Sequence, residues 1–236
     1  MFVGVVIPAR DEAEGVAGAV RSVIRAAAHP LLAGTLVEIV VVDDSSTDST
    51  GELAHAALGG RGTVVSSGRG SAGGARELGF AELCRASAGL DGDLAWFATT
   101  DADSRVGDGW LAHQLAWWRR GADGVAGIVK PFGWEQQPAL VRSRYAALMA
   151  ERGEGAGHPN IYGANLGLTR AAYLDAGGIA LLDSGEDHAL WGALVRQGRF
   201  AVNVPDVVVA TSARREGRAP NGFSTLLRTL GEQQTP

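Results

Sequence analysis

Two short β-branched runs constrain this chain before anything else. Phe2–Ile7 (FVGVVI) and Val37–Val42 (VEIVVV) are too apolar for half-exposed strands, so each reads as a strand buried on both faces. Between them, Ala13–Ala28 repeats small and apolar residues at helical spacing until His29–Pro30 ends it. The alternation continues with a helix over Gly51–Leu58, a weak strand Thr63–Ser66, and a helix over Ala75–Ala86. A strand Leu94–Thr99, a helix Trp110–Arg120 and a strand Gly124–Val129, stopped by Lys130–Pro131, complete it. Such spacing predicts βαβ crossovers and an α/β fold with a mostly parallel sheet covered on both faces.

Beyond Val129 the pattern loosens. A helix over Ala139–Glu151, a strand Ala164–Leu168, a helix Glu186–Arg196 and a strand Phe200–Val209 are expected around a glycine-rich RGEGAGHPN. No internal repeat or linker interrupts the 236 residues, which predicts one domain over 1–236, with a nucleotide-binding-like half 1–129 and a more variable half 130–236. Hydrophobic content of 46% and charged content of 20% fit a folded globular chain, and a net charge of −5 offers no basic field for nucleic acid. The single Cys84 excludes an internal disulfide and a multi-cysteine zinc site. No run of about 18 apolar residues and no signal pattern occur, so the expected location is cytoplasmic; peripheral membrane contact stays open.

Carboxylates are placed unevenly on this frame. In open parallel sheets, ligands bind beyond the carboxyl ends of the strands. Asp101 and Asp103 follow the fourth strand, Asp43 and Asp44 the second, and Arg10, Asp11 and Glu12 the first, so all reach one rim. The similar pair Asp91 and Asp93 precedes a strand and reads as a solvated turn at the opposite rim. Asp48 reads as a helix cap. Clustered carboxylates are costly without a cation, and Mg²⁺ or Mn²⁺ bound by one or two carboxylates plus substrate phosphates suits this rim. Gly68, Gly70 and Gly73 spell G-x-G-x-x-G, the dinucleotide fingerprint, but after the third strand rather than the first, with the acids at the expected distance on the wrong side of a strand.

With those pieces placed, the chain resembles a family 2 glycosyltransferase of the GT-A fold. VVIPARDEAEGV, VEIVVVDDSSTDST, GSAGGARELG, FATTDADSRV, YGANLGLTRAAYLDAGGI and GEDHALWGAL occur in family order over residues 2–197. The resemblance implies a nucleotide-sugar donor carrying UDP or GDP, a divalent metal, and sugar transfer to an acceptor bound by residues 130–236. Carried over, Pro8, Ala9 and Glu12 match the first nucleotide-contacting loop, and Asp44, with Asp43 beside it, the acid that grips the base. Arg76 matches a nucleotide-contacting arginine, Asp101 and Asp103 the metal and ribose motif, and Asp187 the acid proposed as general base. The usual asparagine after Arg76 is Glu77, and the Q-x-x-R-W signature of processive synthases is absent, which favours single additions.

Arg214, Arg215 and Arg218 fall in a loop that reads either as solvated or as a lid clamping the diphosphate or an anionic acceptor. His188 is turned about 100° from Asp187 along the helix, which disfavours it as a metal ligand. His29, His55 and His113 need no function. Trp96, Trp110, Trp117 and Trp118 read as packing residues, and Trp134 and Trp191 as candidates for stacking on an acceptor. Two rivals remain. A sugar-1-phosphate nucleotidyltransferase would want a lysine-bearing glycine loop after the first strand, where this chain has PARDEAEG; a non-catalytic nucleotide-sugar binder would have no use for Asp187.

Overall fold

The computed structural model describes residues 1–153, 157–182, 184–214 and 223–232. The first half runs β1 (Phe2–Ala9), α1 (Val16–Ala27), β2 (Leu36–Asp44), α2 (Thr50–Leu58), β3 (Thr63–Ser67), α3 (Ala72–Ala86) and β4 (Ala95–Thr99). Then follow β5 (Ser104–Val106), α4 (Trp110–Trp118), β6 (Gly124–Phe132), α5 (Ala139–Arg152), β7 (Leu166–Thr169), α6 (Arg170–Asp175), α7 (Glu186–Arg196), β8 (Ala201–Ser212) and α8 (Phe223–Glu232).

The strands form one sheet in the order β3-β2-β1-β4-β7-β6-β8-β5. β1 lies parallel to both neighbours, with Phe2 opposite Leu36 and Ala95, and β3 continues parallel on β2. All four of these strands therefore end at one rim. The second half is mixed: β7 runs antiparallel between β4 and β6, β8 is parallel to β6, and the short β5 is antiparallel to β8. This is the α/β single-domain architecture expected, with the parallel character concentrated in the regular half.

Side-chain alternation along β1 divides the core. Val3, Val5 and Ile7 pack with Val16, Val20 and Val23 of α1 and with Leu111 and Leu115 of α4. Phe2 and Val6 point the other way, onto Phe80 and Leu83 of α3 and the α6–α7 side. A third cluster joins Val141, Tyr145 and Met149 of α5 to Leu227 and Leu230 of α8. α3 starts at Ala72, three residues before the sequence expectation, because Ser71 caps it by accepting the Gly74 amide at 3.1 Å. Its far end is closed by Arg170, whose guanidinium donates to the carbonyls of Ser87 and Leu90.

Candidate active site

The rim is assembled from loops that hold one another. The hydroxyl-rich run after β2 reaches back to the loop after β1: Ser46 Oγ accepts the Asp11 amide at 3.0 Å, and Thr50 Oγ1 the Glu12 amide at 2.7 Å. Asp48 Oδ2 accepts the Ala13 amide at 3.1 Å, while its Oδ1 accepts the Thr50 amide at 3.0 Å, so it turns the chain just ahead of α2, whose N-cap is Ser49 rather than Asp48, and clips the two loops together. Asp11 returns the contact, accepting the Thr47 amide at 2.7 Å, and that bond holds its carboxyl below the usual range. Asp11 and Ser45 adopt φ of 50° and 60°, a left-handed backbone uncommon for residues other than glycine. Strain of this kind survives where surroundings over-determine it. Pro8 and Ala9 are the buried last residues of β1, opposite Val42 and Asp43, and support this loop from below.

At the end of β2 the strand period sends Asp43 and Asp44 to opposite faces. Asp44 is buried at 2% exposure, and its Oδ1 accepts the amides of Arg69 at 2.8 Å and Gly70 at 3.2 Å. The glycine-rich stretch is therefore a turn folded onto Asp44, with Gly70 at φ 73°. The turn uses only Oδ1: Asp44 Oδ2 is buried and finds no hydrogen-bond partner among the described residues. Asp43, accepting the Ser46 amide at 3.4 Å, is the half-buried member of the pair.

Beyond β4 the carboxylates meet their counter-ions. Arg76, on the second turn of α3, is 5% exposed. Its Nη2 donates to Asp101 Oδ1 at 2.5 Å, and its Nη1 donates to Glu186 Oε1 on α7. The guanidinium rests on protein carboxylates, at the rim where the resemblance implies the nucleotide. The departure at Glu77 is paired with Arg69 at 3.4 Å. Next to Glu186, Asp187 Oδ2 accepts the Gly163 amide at 2.8 Å and Oδ1 accepts the His188 amide at 2.7 Å. The neighbouring Gly185 opens α7 at φ 80°.

Arg214 closes the other side. It donates in a fork to Glu12, Nη1 to Oε2 at 2.6 Å and Nη2 to Oε1 at 2.5 Å, and its Nη2 lies 3.2 Å from Asp103 Oδ2. Asp103 Oδ1 is also approached by the hydroxyls of Ser104 and Thr211 at 3.4 Å each. Burial first, then the nearby Asp101 and Glu12 charges, push the Asp103 carboxyl up to about 6 against the pull of Arg214.

The structure thus brings Glu12, Arg76, Asp101, Asp103, Asp187 and Arg214 to one rim. Asp91 and Asp93 sit in an exposed turn before β4, as expected. Arg215 and Arg218 lie outside the described residues. Trp191 is a correction: it is 8% exposed, packed in the core beneath Gly124, and cannot stack on an acceptor. Trp134 lies against Tyr145, ring centroids 5.2 Å apart, beside a cleft of about 510 Å³ also lined by Arg142 and Met149. Sequence reasoning missed Glu186 and Gly163 as working parts of the site. Their signal was adjacency: Glu186 precedes Asp187, and Gly163 sits in YGAN.

A sequence model of Glycosyl transferase family 2 matches residues 4–175. The chain belongs to that family. The match takes in the Asp101–Asp103 turn and ends before Asp187 and Arg214. No curated protein sequence matches the chain. Among solved structures, S. aureus TarS 1-349 in complex with UDP superposes with a TM-score of 0.65 at 16% identity, over 91% of this chain and 61% of that one. Mannosyltransferase PcManGT from Pyrobaculum calidifontis, in complex with GDP-Man and Mn2+, gives 0.63 at 22% identity, over 96% and 68%. Glucosyl-3-phosphoglycerate synthase from Mycobacterium tuberculosis, with Mn2+, UDP and phosphoglyceric acid, gives 0.53 at 24%, over 99% and 80%. This family 2 chain therefore spans about six-tenths of TarS 1-349, and the likeness at these identities is one of fold.

Proposed function

We propose that this family 2 chain transfers a sugar from a UDP- or GDP-linked donor to an acceptor hydroxyl, one addition at a time. The observation that carries the reading is the joining of the Asp101–Asp103 turn, across Arg76, to Glu186 beside Asp187, whose own carboxylate is held by the Gly163 amide at the same strand-end rim. The solved neighbours with UDP or GDP-Man support the donor class.

Asp187 is the proposed general base. Its two carboxylate oxygens are oriented by the Gly163 and His188 amides. It takes the acceptor's hydroxyl proton as the acceptor oxygen bonds to the anomeric carbon and the bond to the nucleoside diphosphate breaks. Glu12 and Asp43 line the donor side, and Arg214 neutralises Glu12 and Asp103 there.

A divalent cation fits Asp101 and Asp103. Burial first, and then the Asp101 and Glu12 charges, raise the Asp103 carboxyl, and a cation would offset the charge part of that cost. Among the described residues no group of three His, Cys, Asp or Glu could hold a metal ion, so the donor phosphates would have to supply the remaining oxygens, as Mg²⁺ and Mn²⁺ sites commonly arrange. When bound, Mg²⁺ or Mn²⁺ would supply charge neutralisation to the departing diphosphate.

Donor turnover tests the whole reading. Release of free UDP or GDP from UDP- and GDP-sugars, assayed with and without Mn²⁺, is expected for at least one donor and is expected to depend on the ion. Nucleotide binding with no turnover under any acceptor would leave a binder rather than an enzyme.

A further inference from the structure

Glu186 has no assigned part in the chemistry, yet it is among the most constrained residues of the rim. Side chains of Glu186 and Asp187 diverge by about 100° on the first turn of α7. Asp187 stays half-buried, while Glu186 goes inward to 7% exposure and meets Arg76. Arg76 uses its other terminal nitrogen on Asp101, 2.5 Å away.

Space for this bridge is made by two glycines. A Cβ on Gly73 would stand 3.0 Å from Glu186 Cγ, and a Cβ on Gly163 would stand 2.6 Å from Arg76 Nη2. Gly163 is also the residue whose amide holds Asp187 at 2.8 Å. A rotation of α7 would therefore break the Glu186–Arg76 pair and the Asp187–Gly163 bond together.

A buried ion pair is a poor way to gain stability, because desolvation offsets the attraction; apolar side chains would anchor α7 as well. What the forked guanidinium adds is a fixed angle between two carboxylates. We infer that Glu186 is a positioning residue: through Arg76 it locks Asp187 to the Asp101 turn, so that base and donor keep one geometry. This rests on the reading of Asp187 as the base.

The test separates kcat from donor affinity. With a UDP- or GDP-sugar and acceptor that the wild type turns over, Glu186→Ala should lower kcat roughly tenfold to a hundredfold, the scale of a small misplacement of reacting groups. Calorimetric affinity for UDP or GDP with Mn²⁺ should stay within about threefold over the same change, because Arg76 still holds Asp101. Glu186→Gln keeps the accepting oxygen and should recover most of kcat. If Glu186→Ala does not fold, Arg76→Lys asks the same question, since an ammonium cannot span both carboxylates; kcat should again fall. Unchanged kcat in a folded Glu186→Ala or Arg76→Lys protein would overturn the inference, as would a Glu186→Gln protein no better than Glu186→Ala. Asp187→Asn runs alongside: if it transfers sugar normally, the base assignment fails and takes the positioning role with it. If Asp187→Asn is inactive while Glu186→Ala is not, the positioning role alone fails.

Discussion

Asp103 is the most crowded carboxylate of the rim, and its protonation couples the site to stability. In the folded chain it keeps its proton up to about 6, and in the unfolded chain it releases it near the ordinary value of 3.8. Between these values the native state binds more protons, so this residue's contribution falls as pH rises through that window. Asp103→Asn removes the penalty. It should gain on the wild type as pH is raised from about 4 to about 7, by at most about 3 kcal/mol. Urea melts at the two pH values check this, and an equal difference at both would contradict it. Asp44 shows a rim carboxylate that also serves local structure. Its Oδ1 holds the Arg69 and Gly70 amides, so Asp44→Ala should cost about 1–3 kcal/mol by leaving them unpaired.

Between elements, the loops after β1 and β2 act as one unit. Thr50→Val keeps the shape of the side chain and removes the oxygen that accepts the Glu12 amide. The expected loss is about 1–3 kcal/mol of stability, with weaker binding of UDP or GDP in calorimetry because the Arg10–Ala13 segment loosens. Tight binding in a destabilised variant would show that this loop does not shape the donor site. The loops also show what a sequence makes legible. Strand ends were readable from β-branched runs closed by polar residues, which is why Glu12, Asp101 and Asp103 could be placed at one rim. The partner of each charge was not readable. Arg76 finds Glu186 across 110 positions and Arg214 finds Glu12 across 202, pairings that no local period encodes. For Asp44, the strand period says only that it and Asp43 face opposite sides. It does not say which side the glycine turn covers. β5 and α8 were missed for similar reasons: three residues are too few for a period, and α8 makes sense only against α5.

Across the whole molecule, the rim is held by arginines that cross from one half of the chain to the other. Arg76 ties α3 to α7, and Arg214 at the end of β8 ties back to the loop after β1. Arg214 also neutralises the carboxylate proposed for the cation. Arg214→Ala should therefore bind Mn²⁺ alone several-fold more tightly than the wild type, while binding UDP or GDP less well in its presence. Manganese spin resonance and calorimetry read the two effects, and unchanged Mn²⁺ affinity would remove Arg214 from the cation's neighbourhood. The central claim, that this rim transfers sugar with Asp187 as base, has a more direct test. Asp187→Asn keeps the shape and the Gly163 contact but cannot take a proton at neutral pH. Sugar transfer should fall by roughly a hundredfold or more, with nucleotide affinity within a few-fold of the wild type. An Asp187→Asn protein that transfers sugar at the wild-type rate would contradict it.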